Sequence, residues 1–167
     1  MQKYAFVDRD GTIIWEPERP AEVDPRETFP LKSADQVEFI DGALEGLEKL
    51  VKKGYRLVLV TNQTFLGTRK HPKEVFDAVM NRMREGLAER GIHFDFEMVC
   101  PHGPDEGCEC RKPKIGGLKE FLAAHPADLA NSLMFGDRAT DSEFAKNLGV
   151  RFVKIETNLR FELPTDI

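Results

Sequence analysis

Asp8 and Asp10 stand one residue apart in Asp8-Arg9-Asp10-Gly11-Thr12, directly after the apolar run Tyr4-Ala5-Phe6-Val7. An aromatic and β-branched run of four reads as a buried strand, so it delivers both carboxylates into a turn whose glycine supplies backbone freedom. In an Asp-x-Asp the two side chains share one side. One can attack or bind a cation while the other handles a proton, with a hard divalent cation holding both. A solvated turn could carry the same five residues, and what argues against it is the company expected at the ends of other strands. Thr61-Asn62 follows Arg56-Leu57-Val58-Leu59-Val60, Asp137 and Asp141 follow Leu133-Met134-Phe135-Gly136, and a lysine comes from Arg111-Lys112-Pro113-Lys114. Three carboxylates, a hydroxyl and a lysine on one edge describe a magnesium-assisted phosphoryl-transfer site, because Mg²⁺ favours a few carboxylates plus phosphate and water. Asp141, at the start of a short helix, is read as capping that helix or orienting Lys112 rather than touching metal.

A second cluster is Cys100-Pro101-His102 followed by Cys108-Glu109-Cys110. One imidazole and three thiolates supply the four ligands of a closed tetrahedral zinc site, with no position left for water, so the expected role is structural. Such a metal gives folding energy to a loop that has no core of its own and stiffens the segment leading to Arg111 and Lys112. His71, His93 and His125 show no ligand spacing and are expected on the surface.

Apolar periodicity sets out what positions these groups. Ala43, Leu44, Leu47, Leu50 and Val51 recur at helical spacing, with Asp41 as the expected cap and Lys52-Lys53-Gly54 as the close. Val75, Phe76, Val79, Met80, Met83 and Leu87 form a second stripe after Pro72, and both methionines are read as core. Further strands are expected at Phe94 to Val99, Leu133 to Phe135 and Val150 to Ile155, with helices at Gly116 to Ala124 and Ser142 to Asn147. Strand and helix alternate five times, which predicts an α/β fold: a parallel sheet of about five strands with helices on both faces. In such sheets ligands bind outside the carboxyl ends of the strands. Between Ile13 and Gln36, Pro17, Pro20, Pro25 and Pro30 forbid a long helix, and this excursion is placed to wall the site, with Trp15 and Glu16 nearest.

A length of 167 residues suits one domain over residues 1–167. The net charge of −5, with scattered Lys and Arg, offers no basic field for nucleic acid or an anionic membrane. Neither a signal-like N-terminus nor an apolar run of spanning length is evident, so a cytoplasmic protein is expected. Three clustered cysteines fit a metal in a reducing compartment better than disulfides.

The motifs Asp8-Arg9-Asp10-Gly11-Thr12, Val60-Thr61-Asn62, Lys112 and Gly136-Asp137-Arg138-Ala139-Thr140-Asp141 together resemble those of the haloacid dehalogenase (HAD) superfamily of phosphohydrolases. The resemblance implies a Rossmann-like fold without a large cap. It implies Asp8 as nucleophile forming an aspartyl-phosphate, Asp10 as general acid and base, and Thr61 and Lys112 as holders of the phosphoryl oxygens. Magnesium would be bound by Asp8, the Asp10 backbone carbonyl and Asp137. Arg9, Glu16, Asn62 and Arg111 are assigned to substrate binding. The zinc loop with Cys110-Arg111-Lys112-Pro113-Lys114 narrows the resemblance to the histidinol-phosphatase and heptose-bisphosphate-phosphatase branch. Leu66-Gly67-Thr68, Asp128-Leu129-Ala130-Asn131-Ser132 and Gly136 to Asp141 are more similar to the histidinol-phosphatase domain of bifunctional histidine-biosynthesis enzymes. The chain departs from that pattern at Phe65 and around Pro25 to Lys32. The leading expectation is hydrolysis of L-histidinol phosphate by a monomer or small homo-oligomer. The alternative is a heptose 1,7-bisphosphate, and a reading of another class is a catalytically silent zinc-containing interaction module. Histidinol phosphate carries a cationic amine, which Glu16 could meet beyond the phosphate pocket.

Overall fold

The structure, a computed structural model, describes residues 1–167. Five strands, β1 (Tyr4–Val7), β2 (Arg56–Asn62), β3 (Phe96–Cys100), β4 (Leu133–Gly136) and β5 (Arg151–Lys154), form one sheet in the order β3-β2-β1-β4-β5. Every neighbouring pair is parallel. The alternation of side chains along a strand sorts the apolar residues into two cores. Ala5, Val7, Leu57, Leu59, Leu133 and Phe135 face α1 (Ala43–Lys52) and α2 (Lys73–Ala88), meeting Leu47, Leu50, Met80 and Met83. Tyr4, Phe6, Val58, Val60 and Met134 face the other way, toward Phe121 of α3 (Lys119–Ala124) and Phe144 and Leu148 of α4 (Ala139–Leu148). Near-continuous apolar strands follow from burial on both faces. No large cap covers the carboxyl ends of the strands, and no helix is long and apolar enough to cross a membrane.

The chain runs from β1 outward through β2 to β3, then returns to lay β4 on the other side of β1. The crevice between β1 and β4, at their carboxyl ends, is therefore the topological switch point where such sheets bind ligands. Asp8 and Asp137 follow these two strands.

Several local expectations are corrected. Helix α1 starts at Ala43 behind Gly42, whose φ of 76° only glycine adopts readily, and Asp41 makes no capping hydrogen bond. Val51, expected on the packed stripe, is 40% exposed. Residues 116–118 are a 3₁₀ turn leading into α3, strand β3 ends at Cys100, and α4 starts three residues before Ser142. The early start has a cause: the Asp141 carboxylate reaches back to accept from the Arg138 backbone N–H at 3.0 Å. His71 is buried, not superficial. It lies edge-on to Phe76, with Nδ1 3.2 Å from the Thr64 carbonyl oxygen.

Candidate active site

The turn after β1 is shaped by Gly11, whose φ is +74° and where a Cβ would lie 2.7 Å from Oδ2 of Asp137. Glycine thus brings the β1 turn against the carboxylate that follows β4. Asp8, Asp137 and Asp141 place one carboxylate oxygen each within 4.8 Å of one another, all buried. Lys112 sits among them, with Nζ 2.6 Å from Asp8 Oδ1, 2.7 Å from Asp141 Oδ1 and 2.8 Å from the Val60 carbonyl oxygen. Burial opposes the charge on Lys112, but Asp141 and Asp8 overcome it and hold the ammonium above the usual lysine range. Burial pushes Asp8 well up despite Lys112, and Asp141, Asp137 and Asp10 push it further.

Such a concentration of buried negative charge fits a divalent cation. Asp137 points to where it would bind: Oδ2 accepts from the Thr157 hydroxyl at 2.7 Å, while Oδ1 is buried with no partner. Asp141 Oδ2 accepts from the Arg138 N–H, and Oδ1, though it has no hydrogen-bond partner, is ion-paired with Lys112 at 2.7 Å. It therefore both pairs with Lys112 and caps α4, where the sequence pattern offers one role or the other. Asp8 and Asp137 are the side chains with capacity for magnesium, in keeping with the preference of that ion for one or two carboxylates.

Asp10 lies apart from this group, with its carboxylate gripped by Arg9 and Gln63. Arg9 is a correction to its assignment as a substrate ligand. It is 1% exposed and does not line the cavity, because its guanidinium is committed to Asp10, Gln63 Oε1 and Met80 Sδ. Thr61 is buried beside this grip and accepts from Gln63 Nε2 at 2.8 Å. Asn62 lines the cavity, but its amide accepts from the Lys112 N–H at 2.9 Å and donates to the Lys112 carbonyl at 3.3 Å. Those bonds fix the lysine's backbone rather than reaching outward.

Above these groups opens a cavity of about 680 Å³. The excursion contributes Glu16, Arg19, Arg26 and Thr28 to its wall, whereas Trp15 is solvent-facing. Glu16 is buried and paired with Arg138 at 2.5 Å; burial pushes its carboxyl up, against the pull of that arginine. Arg111 ties the mouth together, donating to the His102 carbonyl at 2.9 Å, to Thr64 Oγ1 at 3.2 Å and to the Arg26 carbonyl. Arg26 in turn pairs with Asp105 of the cysteine loop at 2.8 Å.

Cys100, His102, Cys108 and Cys110 converge, each offering one ligand atom within 4.8 Å of the others. Cys100 Sγ lies 3.7 Å from Cys108 Sγ and 3.6 Å from His102 Nδ1, and Cys110 Sγ lies 3.3 Å from the same nitrogen. These match the edges of a tetrahedron with bonds of about 2.0–2.3 Å. They are far from the roughly 2.05 Å of a disulfide. The four residues fit zinc.

The site also holds residues that motif reading left without a role. Gln63 and Arg138 adjoin or fall within quoted motifs, so position alone could have flagged them. Thr157 and Asn158 carry no such signal. Asn158 pins Glu16 by accepting from its N–H and donating to its carbonyl, both at 2.8 Å.

A parallel α/β sheet with buried carboxylates and a lysine at its switch point is the arrangement also seen in HAD-like folds. A family model described as HAD-hydrolase-like matches residues 109–160. The chain is 42% identical over 150 residues to the histidine biosynthesis bifunctional protein HisB of Actinobacillus pleuropneumoniae, covering 90% of this chain and 39% of that protein. It is 36% identical over 163 residues to HisB of Legionella pneumophila, covering 98% and 44%. The chain thus spans well under half the length of these relatives. Among solved structures, the D,D-heptose 1,7-bisphosphate phosphatase of B. bronchiseptica, in complex with magnesium and phosphate, superposes with a TM-score of 0.76 at 29% identity, covering 90% of this chain and 79% of that one. The chain thus carries a HAD-hydrolase-like match over residues 109–160 and is similar to the bifunctional histidine-biosynthesis proteins and, in structure, to a heptose bisphosphate phosphatase.

Proposed function

We propose that this chain is a phosphomonoesterase that hydrolyses L-histidinol phosphate to L-histidinol and inorganic phosphate. The observation that carries the reading is the buried group of Asp8, Asp137 and Lys112 at the β1–β4 switch point, opening into a cavity of about 680 Å³. Similarity to HisB proteins supports the substrate.

In this reading a carboxylate oxygen of Asp8 attacks phosphorus and the bond to the leaving oxygen breaks, giving an aspartyl-phosphate. Asp10 donates a proton to the departing alkoxide, then takes one from the water that attacks the aspartyl-phosphate and releases inorganic phosphate. Lys112 exchanges its contact with Asp8 for a phosphoryl oxygen, and the Thr61 hydroxyl, buried beside the Gln63–Asp10 pair, has its own hydrogen to give. Asp8 and Asp137 would hold magnesium, with the Asp10 carbonyl, and the ion would supply charge stabilisation to the phosphoryl group. Cys100, His102, Cys108 and Cys110 would hold zinc, which keeps Arg111 in register with the mouth.

One observation favours the second reading, a heptose bisphosphate. Outside the catalytic floor, the cavity wall carries Arg19, Arg26, Arg111, Lys114 and Arg138 against a single carboxylate, Glu16. A second phosphate would suit that balance; a cationic amine needs Glu16. The deciding experiment is kcat/KM for the two phosphates, measured side by side with Mg²⁺. A preference for histidinol phosphate supports the first reading, and a preference for the bisphosphate replaces it.

A further inference from the structure

Asp10 is held by two side chains that no step above uses. Arg9 reaches Asp10 Oδ1 through NH2 at 2.8 Å and through Nε at 3.1 Å, and Oδ2 through Nε at 3.2 Å. Gln63 donates from Nε2 to Oδ2 at 2.7 Å and accepts from Arg9 NH2 at 3.1 Å. Arg9 is 1% and Gln63 0% exposed, and the guanidinium is further fixed over the Phe76 ring and against Met80 Sδ. A bidentate fork with a bridging amide locks both the position and the plane of a carboxylate. Nothing comparable grips Asp8 or Asp137. The carboxylates that come together are those of Asp8, Asp137 and Asp141, and the Asp10 side chain is not one of them.

We infer that Arg9 and Gln63 are positioning residues that partition the carboxylates of the site. They hold the Asp10 side chain away from the cation position and keep it in the orientation from which it serves the leaving oxygen. Two acidic side chains one residue apart would otherwise compete for the same divalent ion, since an unrestrained carboxylate beside a hard cation coordinates it. Gln63 has a second link, donating to Thr61 Oγ1 at 2.8 Å, so the clamp also fixes the hydroxyl proposed to meet the phosphoryl group. The inference rests on the phosphoryl-transfer reading of the site.

Its consequences separate by leaving group. A p-nitrophenyl ester departs without help, whereas an alkyl ester needs its proton, so in the step that forms the aspartyl-phosphate, which kcat/KM reports, a displaced Asp10 penalises only the second. Its loss as base toward water is common to both esters and falls on kcat. The variants are Gln63→Met, which keeps the volume and removes the bonds to Asp10 and Thr61, Arg9→Met, and Arg9→Lys, which keeps the charge but loses the fork. Melting temperature establishes which of them fold. For each folded variant, kcat and KM are measured on p-nitrophenyl phosphate and on an alkyl phosphate, and Mg²⁺ affinity is measured calorimetrically without substrate. Loss of acid catalysis is expected to lower kcat/KM on the alkyl ester by about 100-fold. For the aryl ester kcat/KM should change by about threefold or less, with Arg9→Lys intermediate. Mg²⁺ should bind several-fold tighter as Asp10 joins its ligands. Equal losses of kcat/KM on both esters with unchanged Mg²⁺ affinity would overturn the partition while leaving the phosphatase reading intact. Failure of the wild type to hydrolyse either ester would overturn that reading and the clamp's role with it. Should Arg9→Met not fold, Gln63→Met and Arg9→Lys carry the same test.

Discussion

The hydroxyl of Thr157 donates to Oδ2 of Asp137 at 2.7 Å, which leaves Oδ1 of the same carboxylate buried and without a partner. One oxygen is fixed by the protein and the other is presented. Orientation of a ligating carboxylate by an outer hydrogen bond is how metal sites gain affinity without adding ligands. Thr157→Val removes the bond and keeps the shape. It is expected to weaken Mg²⁺ binding by about tenfold, read by calorimetry, with little change in melting temperature. Unchanged affinity would mean that Asp137 is held by its backbone and by burial alone.

The cysteine loop makes a separate forecast. Purified protein should contain about one zinc per chain, since Cys100, His102, Cys108 and Cys110 form one four-ligand cluster. Brief EDTA treatment followed by Mg²⁺ should restore activity. Removal of zinc itself should expose the three thiols to alkylation and raise KM more than it lowers kcat, because Arg111 and Arg26 at the mouth are tied to that loop. Metal analysis showing no zinc in the native protein, with the three thiols freely reactive, would contradict the assignment.

Substrate selection turns on Glu16 and its pairing with Arg138. Glu16→Gln removes a negative charge from a wall that is otherwise basic, so it should lower kcat/KM for histidinol phosphate by about tenfold, given the modest value of a part-exposed ion pair. A small phosphate ester whose alkyl group carries no charge should be nearly unaffected. The ratio of the two kcat/KM values, wild type against variant, is the readout, and an unchanged ratio would remove Glu16 from the recognition of the amine.

His71 should leave a signature in stability against pH. Burial lowers its pKa, with the Thr64 carbonyl partly opposing. The folded state therefore binds fewer protons than the unfolded chain once pH falls below the ordinary histidine value of about 6.5, and stability is lost with further acidification through the folded pKa. Above about pH 7 both states are neutral and the contribution is complete. His71→Gln should flatten the dependence of melting temperature between pH 7.5 and 5.5. A slope identical to wild type would show that other groups set it.

The parallel strands and the two-faced core were legible because the runs Tyr4–Val7, Leu57–Val60 and Leu133–Phe135 are apolar at every position, a pattern that a sheet covered on both faces sustains, whereas the strand order was not. The polar residues that close each run then mark the site. Helix starts were less legible. Asp41 looks like a cap, but Gly42 takes the left-handed turn that begins α1, and Asp141 caps α4 from inside the helix rather than ahead of it. The burial of His71 depends on the Leu66–His71 turn folding back, and no local pattern announces that. Arg9 shows the same limit within the site. Its place between two aspartates suggests a ligand for phosphate, whereas the side chain turns inward to Asp10 and Gln63, a contact made across 54 residues of chain. Thr157 and Asn158 lie in the loop after β5 with no motif around them, and their roles come wholly from tertiary approach.

The central claim is that Asp8 performs covalent phosphoryl transfer from histidinol phosphate, and phosphate release measured in parallel for wild type and Asp8→Asn tests it most directly. With Mg²⁺ and L-histidinol phosphate, the wild type should release phosphate, while Asp8→Asn, equally folded by circular dichroism, should be slower by about 10³-fold or more. Absence of release by the wild type, or an Asp8→Asn rate within about tenfold of it, would contradict the account.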